Sequence, residues 1–422
     1  MQPLPGTVFL RDDLPLGPTR EFARPVLGST GEATAKLVEE RPDRYRAGDL
    51  AGRSGLQARF DDQLAGEVGF EVVATTGEGS GDGSDEVLLT EAPEPGAPVR
   101  VTLDPEVQLA AEAALADVGQ PSALVAMRIS DGHVLAAANG PGTEGVDIAL
   151  GGRFPPGSTF KVVTTAALLA AGLDPEGPTA CTERASVEGR SFRNAEEAAL
   201  GQVPLRTAFA QSCNTTFVEL AAGLDDDDLQ RAGLQFGLGL DDDLGVGAYR
   251  GEVPVNDSGV DRAAASIGQG RNLVSPLAMA DVAATVGRGR HLPPTLVVAP
   301  ARDPSGLEAP DLDPTVAGTL QSLMRSVVTD GSGSAVAGLD GDPVHGKSGT
   351  AEYGDEVPPR THAWFIAYRG DVAVSVLVAE TADGFGGGWQ HRWPPTSSMD
   401  SEPSAQPSSS QRRATIRAVA WS

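Results

Sequence analysis

Two strand pairs at opposite ends of one long stretch constrain this chain most. Residues 124–129 and 134–138 are short apolar runs separated by Ser130-Asp131-Gly132-His133, and residues 363–368 and 372–378 repeat the pattern around Gly370-Asp371. Apolar runs of that length bounded by turn residues read as β-hairpins. The stretch between them is mainly helical in pattern. One antiparallel sheet must therefore be closed by segments remote in sequence, which predicts an α+β domain.

That domain does not use the whole chain. At roughly 150 residues per core, 422 residues call for two or three units. Upstream, Leu56, Phe60 and Leu64 recur at helical spacing, so residues 54–64 are expected to form one helix, with Ser54 as N-cap and Gly66 as stop. Residues 75–86 carry glycine at alternate positions and read as an exposed turn, after which Val87-Leu88-Leu89 restarts a strand. Residues 93–98, bounded by prolines, are the expected linker, and beyond them Asp104 can cap a helix through Val107, Ala111, Ala114 and Leu115. The expected division is a smaller mixed α/β domain over 1–98 and the α+β domain over 99–388. Residues 389–422 are rich in Ser, Pro and Arg without periodicity and read as a disordered tail.

Charge narrows the choice of partners. With 58 acidic against 32 basic residues the net charge is −26, a surface that repels nucleic-acid phosphates and anionic lipid headgroups. The two cysteines and five histidines show no metal-ligand spacing. The acidic runs 225–228 and 241–243 lack the alternating pattern of a calcium loop and read as solvated charge. Gly268-Gln269-Gly270 follows no strand of a βαβ unit, so it makes no phosphate loop. Neither metal nor cofactor is expected. No apolar run reaches the roughly 20 residues that span a bilayer, and Met1 to Gly6 does not read as a signal peptide; no anchor segment is expected within this chain.

Chemistry concentrates in three short stretches. In Pro155-Pro156-Gly157-Ser158-Thr159-Phe160-Lys161 the prolines end the preceding structure and Ser158 opens a helix, so that Ser158 and Lys161, three apart, share a face. A serine hydroxyl needs a base within reach, and a lysine can serve once its surroundings lower its pKa. Ser212-Cys213-Asn214 sets a hydroxyl and an amide two residues apart. Lys347-Ser348-Gly349-Thr350, on an expected edge strand, combines a cation and two hydroxyls suited to a carboxylate with a glycine that lets a substrate backbone approach. Taken singly, each has an ordinary reading as a helix start, a helix cap or a turn.

The three in this order, SxxK, SxN and KSG, resemble the penicillin-binding proteins and their serine β-lactamase relatives. Val101-Thr102-Leu103-Asp104, Ser266-Ile267-Gly268-Gln269-Gly270, Val274-Ser275-Pro276 and His362-Ala363-Trp364-Phe365 are similar to the class B branch, and residues 52–66 to its pedestal domain. The resemblance covers about residues 99–388 and implies a penicillin-binding transpeptidase domain, an antiparallel sheet packed with helices, preceded by a non-catalytic pedestal. It implies a serine D,D-transpeptidase cross-linking peptidoglycan stem peptides. Ser158 would attack the D-Ala–D-Ala carbonyl, Lys161 would take its proton, and Ser212 would relay a proton to the leaving amine. Asn214 would orient Lys161; Lys347, Ser348, Gly349 and Thr350 would bind the substrate strand and its carboxylate. The backbone N–H groups of Ser158 and Thr350 would form the oxyanion hole. Expected partners are stem peptides, β-lactam antibiotics, a membrane glycosyltransferase and division or elongation proteins, in an extracytoplasmic, membrane-associated setting.

Competing readings are a β-lactamase, for which no glutamate motif lies between SxN and KSG, a D,D-carboxypeptidase, and a non-catalytic scaffold of the cell-wall machinery. Cys181 and Cys213 are either a disulfide or two partly buried small side chains.

Overall fold

A computed structural model describes residues 8–10, 22–67, 69–74, 86–240, 243–300, 308–354 and 359–381. The chain forms two compact units, Met1–Thr102 with Leu296–Asp303, and Leu103–Thr295 with Pro304–Ser422. The tail 389–422 and the glycine-spaced residues 75–85 lie outside the described residues.

The second unit is built on a five-stranded antiparallel sheet in the order His345–Tyr353, Arg360–Arg369, Val372–Thr381, Ser122–Arg128, Val134–Asn139. Both expected hairpins are present, and Val376 lies opposite Leu124, so segments far apart in sequence close the sheet. His345–Tyr353 is an edge strand. One face is covered by the helix Pro105–Leu115, whose Ala111 and Leu115 pack with Leu124, Ala126, Leu135 and Ala138. Asp104 starts it: its Oδ1 accepts from the N–H groups of Glu106 and Val107, satisfying first-turn donors that would otherwise lack partners.

The other face carries the larger core, into which Pro276–Arg288 and Pro314–Asp330 pack. Pro276–Arg288 is buried almost all round, from Pro276 to Val286. That environment includes a carboxylate: Asp281 Oδ2 accepts from Arg250 Nη2 at 2.5 Å and sits 3.0 Å from His291 Nε2. All three side chains are less than 5% exposed.

The first unit contains a three-stranded sheet in which Val99–Val101 runs parallel to Val8–Leu10 and antiparallel to Val297–Ala299. The return of Leu296–Asp303 to this unit has no local sequence signal. The helix expected over 54–64 is broken: Gly55–Arg59 and Asp61–Ala65 meet at Phe60, which caps both. Leu56 and Leu64 are still buried as their spacing requires. Ser54 places its hydroxyl on Ser29 N and Oγ instead of on its own helix. Gly66, at φ 70°, ends the second piece. Residues 93–98 are not a free linker, because Glu94 bridges to Glu67 and Ala97 N–H donates to Gln63 O. The strands Phe70–Ala74 and Glu86–Glu91 pair antiparallel and leave Phe70, Val72, Val87, Leu88 and Leu89 exposed.

Candidate active site

The turn carrying Ser158 is clamped before its helix begins. Trp364 Nε1 donates to Pro155 O at 3.0 Å, Phe154 bridges to Val274, and Gly157 N–H donates to Gly268 O at 2.9 Å. Gly157 takes φ 52°, in the left-handed region, and a Cβ there would stand 2.3 Å from Thr350 O on the edge strand. The sequence pattern around Gly268 and Trp364 therefore belongs to the site, although those residues hold the turn and bear no reacting group. Ser158 does not open the α-helix directly; it lies in a one-turn 3-10 helix, Gly157–Phe160, that leads into Lys161–Ala170. Ser158 is half-buried. Among the described residues, none hydrogen-bonds to its hydroxyl.

Lys161 is fully buried. Its Nζ donates to Ser212 O and to Asn214 Oδ1, both at 2.7 Å, and lies 3.3 Å from Ser212 Oγ. Burial pushes its pKa well below the ordinary lysine value, and the nearby Lys347 pushes it the same way. A neutral amine has two N–H bonds and one lone pair. In that form the two shorter bonds can take both protons, which frees the lone pair to accept one; in the ammonium form the third proton goes to Ser212 Oγ.

Ser212 and Asn214 come from the turn between the helices Leu205–Ala210 and Asn214–Leu220. Ser212 adopts φ 60°, which for a non-glycine residue persists only where surrounding contacts impose it. Its Oγ lies between two amines, 3.3 Å from Lys161 Nζ and 2.9 Å from Lys347 Nζ. Cys213, within that turn, is bonded to Cys181, which resolves the alternatives left by the sequence in favour of the disulfide.

Lys347, Ser348, Gly349 and Thr350 lie on the edge strand. Lys347 is fully buried, donates to Ser212 Oγ and to Ser348 O, each at 2.9 Å, and burial lowers its pKa to about 7. Ser348 Oγ is 2.6 Å from Ser332 Oγ. Gly349 also has a constraint within the chain: a Cβ there would stand 2.8 Å from Thr159 Cγ2 and 2.9 Å from Thr159 N. The glycine lets the nucleophile turn approach the strand.

Ser158–Lys161, Ser212–Asn214 and Lys347–Thr350 are thus brought together. Sequence reasoning missed Ser332, and also Arg193 and Asn194, whose carbonyl and amide hold the SxN turn. None of these lies in a recognisable spacing pattern, so no signal in the sequence marks them.

Residues 122–390 match the family model of the penicillin-binding protein transpeptidase domain, and residues 11–101 that of the penicillin-binding protein dimerisation domain. The chain is similar to the peptidoglycan D,D-transpeptidase PbpA of Mycolicibacterium smegmatis, 35% identical over 263 residues, covering 56% of this chain and 52% of that protein. It therefore spans about half the length of the curated relatives it matches. Its fold is similar to penicillin-binding protein A from M. tuberculosis in an imipenem acyl-enzyme complex, at TM-score 0.59 and 29% identity over 69% of this chain and 77% of that one. A chain from a peptidoglycan synthase complex coordinating polymerization and crosslinking is similar at TM-score 0.72 and 28% identity, over 84% of this chain and 70% of that one. On the match of both domains in this order, this chain belongs to the class B penicillin-binding proteins.

Proposed function

We propose that this chain is a serine D,D-transpeptidase that cross-links peptidoglycan stem peptides and is acylated by β-lactams at Ser158. The observation that carries this reading is the buried Lys161 amine, held by Ser212 and Asn214 beside a second buried amine, Lys347. Ser158 Oγ attacks the carbonyl of the penultimate D-Ala, and its proton passes to Lys161 Nζ. The oxyanion so formed accepts from the N–H groups of Ser158 and Thr350, donors worth on the order of 10²–10³ in rate. As the C–N bond breaks, a proton moves through Ser212 Oγ to the departing D-Ala amine. An amine of a neighbouring strand then attacks the acyl-enzyme, giving the cross-link and returning the proton to Ser158. Lys347, Ser348 and Thr350 hold the terminal carboxylate, and Asn214 keeps the Lys161 amine in place.

The disulfide at the SxN turn supports an oxidising, extracytoplasmic setting. No helix among the described residues is long and apolar enough to cross a membrane. The likeness to a synthase complex supports a glycosyltransferase as partner, and the class B architecture supports assembly with division or elongation proteins. We place the non-catalytic domain at 1–102 with 296–303, extending the expected bound at 98 because Val99–Val101 lies in its sheet, the transpeptidase domain over the remainder to 388, and a tail at 389–422.

The test is intact mass after incubation with benzylpenicillin. The expected result is a shift of one penicilloyl group that disappears completely in Ser158→Ala; unchanged mass in the native chain would overturn the reading. Slow loss of the adduct is expected of a transpeptidase, rapid turnover of a β-lactamase.

Lys347 sets an expected pH dependence. With its pKa lowered to about 7, the free protein loses the cation that meets the carboxylate as pH rises through 7. The second-order acylation constant is expected to fall on the alkaline side with a midpoint near 7. At saturating β-lactam the limb should move to higher pH, because the bound carboxylate favours the ammonium. In Lys347→Arg the limb should vanish, since a guanidinium stays charged. Stopped-flow acylation across pH 6–9 checks this; an unchanged limb in Lys347→Arg assigns it elsewhere.

A further inference from the structure

The SxN turn lacks a cap of its own. Cys213, at the N-cap position of Asn214–Leu220, makes no side-chain capping bond because its sulfur is tied to Cys181. The first amides of that helix are met from a distance. Asn194 Oδ1 accepts from Asn214 N at 2.7 Å and from Thr215 N at 3.0 Å. Its Nδ2 donates to Thr182 O and Ala198 O, both at 2.7 Å. Every short bond runs from a donor to an acceptor, which fixes the amide orientation without ambiguity. Asn194 is only 5% exposed, so these bonds form away from competing water.

The preceding residue completes the bracket. Arg193 O accepts from Asn214 Nδ2 at 3.0 Å. That bond turns the Asn214 amide so that Oδ1, not Nδ2, faces the Lys161 amine 2.7 Å away. Two consecutive residues thus hold Asn214 at its backbone and at its side chain. Arg193 ends the hairpin formed by Arg184–Val187 and Arg190–Arg193, whose Val187 and Arg190 pair across the turn.

We propose that Asn194 is a positioning residue of the reaction: it sets the place of Asn214, and through it that of the Lys161 amine. Asn194 touches no reacting atom. The inference rests on the acylation reading above and goes one step beyond it. Side chains that accept from first-turn amides are worth about 0.5–2 kcal/mol to a helix; here the acceptor also fixes a base. A misplacement of order 1 Å in such a group can cost about 100-fold in rate.

The test separates rate from stability. For each variant of the full chain, the acylation step at saturating benzylpenicillin and the half-saturating concentration are measured, counted per labelled site so that unfolded molecules drop out. Thermal melting is recorded alongside. In Asn194→Ala the acylation step should fall about 30–100-fold with the half-saturating concentration within threefold, since the carboxylate-binding strand is untouched. In Asn194→Asp one carboxylate oxygen still accepts from Asn214 and Thr215, while the other faces two carbonyls. Its melting point should fall while its acylation step stays within about threefold of native. In the Asn214→Ala background, Asn194→Ala should cost less than a further threefold.

An acylation step that follows the melting point in both variants would overturn the proposal, as would fully additive losses with Asn214→Ala. If Asn194→Ala does not fold, Asn194→Asp decides: an acylation step lowered tenfold or more per labelled site makes the residue merely structural. A native chain that never labels at Ser158 would instead remove the acylation reading itself.

Discussion

Lys161→Met is expected to slow acylation of Ser158 by roughly 10³-fold at neutral pH while leaving a folded chain. A positioned general base contributes about 10²–10⁴-fold, and among the described residues no other amine is held by both Ser212 and Asn214. Methionine fills a similar volume and offers no basic lone pair. Arginine would not substitute, because its guanidinium stays protonated. Effects on stability partly cancel. The folded state holds Lys161 well below its ordinary pKa, whereas the unfolded chain protonates it up to about 10.4. Below that pH the native state binds fewer protons than the unfolded one, so this lysine costs stability that grows as pH falls toward its folded pKa. Methionine removes that cost. In return Ser212 O and Asn214 Oδ1 lose a donor, at about 1–3 kcal/mol for each group left unsatisfied. The melting point should therefore move little in either direction. A time course of intact mass with benzylpenicillin, beside thermal melting, measures both. Labelling within tenfold of native would exclude Lys161 as the base.

Much of this site was legible because the chemistry needs particular side chains in short local spacings. Ser158 and Lys161 are three apart on one turn, and Lys347 to Thr350 occupy one strand. Such patterns survive in the sequence whatever packs around them. The hairpins were legible for a similar reason: Gly370-Asp371 and Asp131-Gly132 mark turns between apolar runs, and the strands form where those runs lie.

What escaped is whatever depends on a distant partner. Asn194 is one polar residue after a hairpin, and its importance lies in amides 20 and 21 positions away. Ser332 matters only because the fold brings it to Ser348. The helix over 54–64 had the correct apolar spacing, so Leu56 and Leu64 are both buried, yet periodicity is blind to the break at Phe60. There Asp61 Oδ1 accepts from Gly52 N at 2.7 Å, a contact that anchors the second piece to the neighbouring strand. Gly349 shows the same limit from another direction. Its smallness reads as room for a substrate, and the sequence alone does not show that it is also room for Thr159.

Asp281 escaped too, and it carries the largest expected loss of stability. Asp281→Ala should destabilise the second unit by about 3–5 kcal/mol, the usual cost of removing one partner from a buried ion pair. Arg250 would then keep its charge at 5% exposure without the carboxylate 2.5 Å away. Burial alone would raise the Asp281 pKa, but His291 and Arg250 outweigh it and hold the group below the ordinary carboxylate value. A lowered carboxylate pKa contributes stability that is complete above the unfolded value, near 4, and is lost as pH falls through the folded one. The size of the loss depends on the charge left behind more than on the ion pair itself. The double variant Arg250→Met with Asp281→Leu should accordingly recover most of the loss, as apolar replacements of buried pairs commonly do. Urea unfolding followed by far-UV circular dichroism, fitted to the transition of the second unit, gives the numbers. A loss below 1 kcal/mol in Asp281→Ala, or a double variant no better than the single one, would show that the pair is not what holds Pro276–Arg288 in the core. The acylation rate per labelled site should be unchanged in both, because neither side chain reaches Ser158, Lys161 or Lys347.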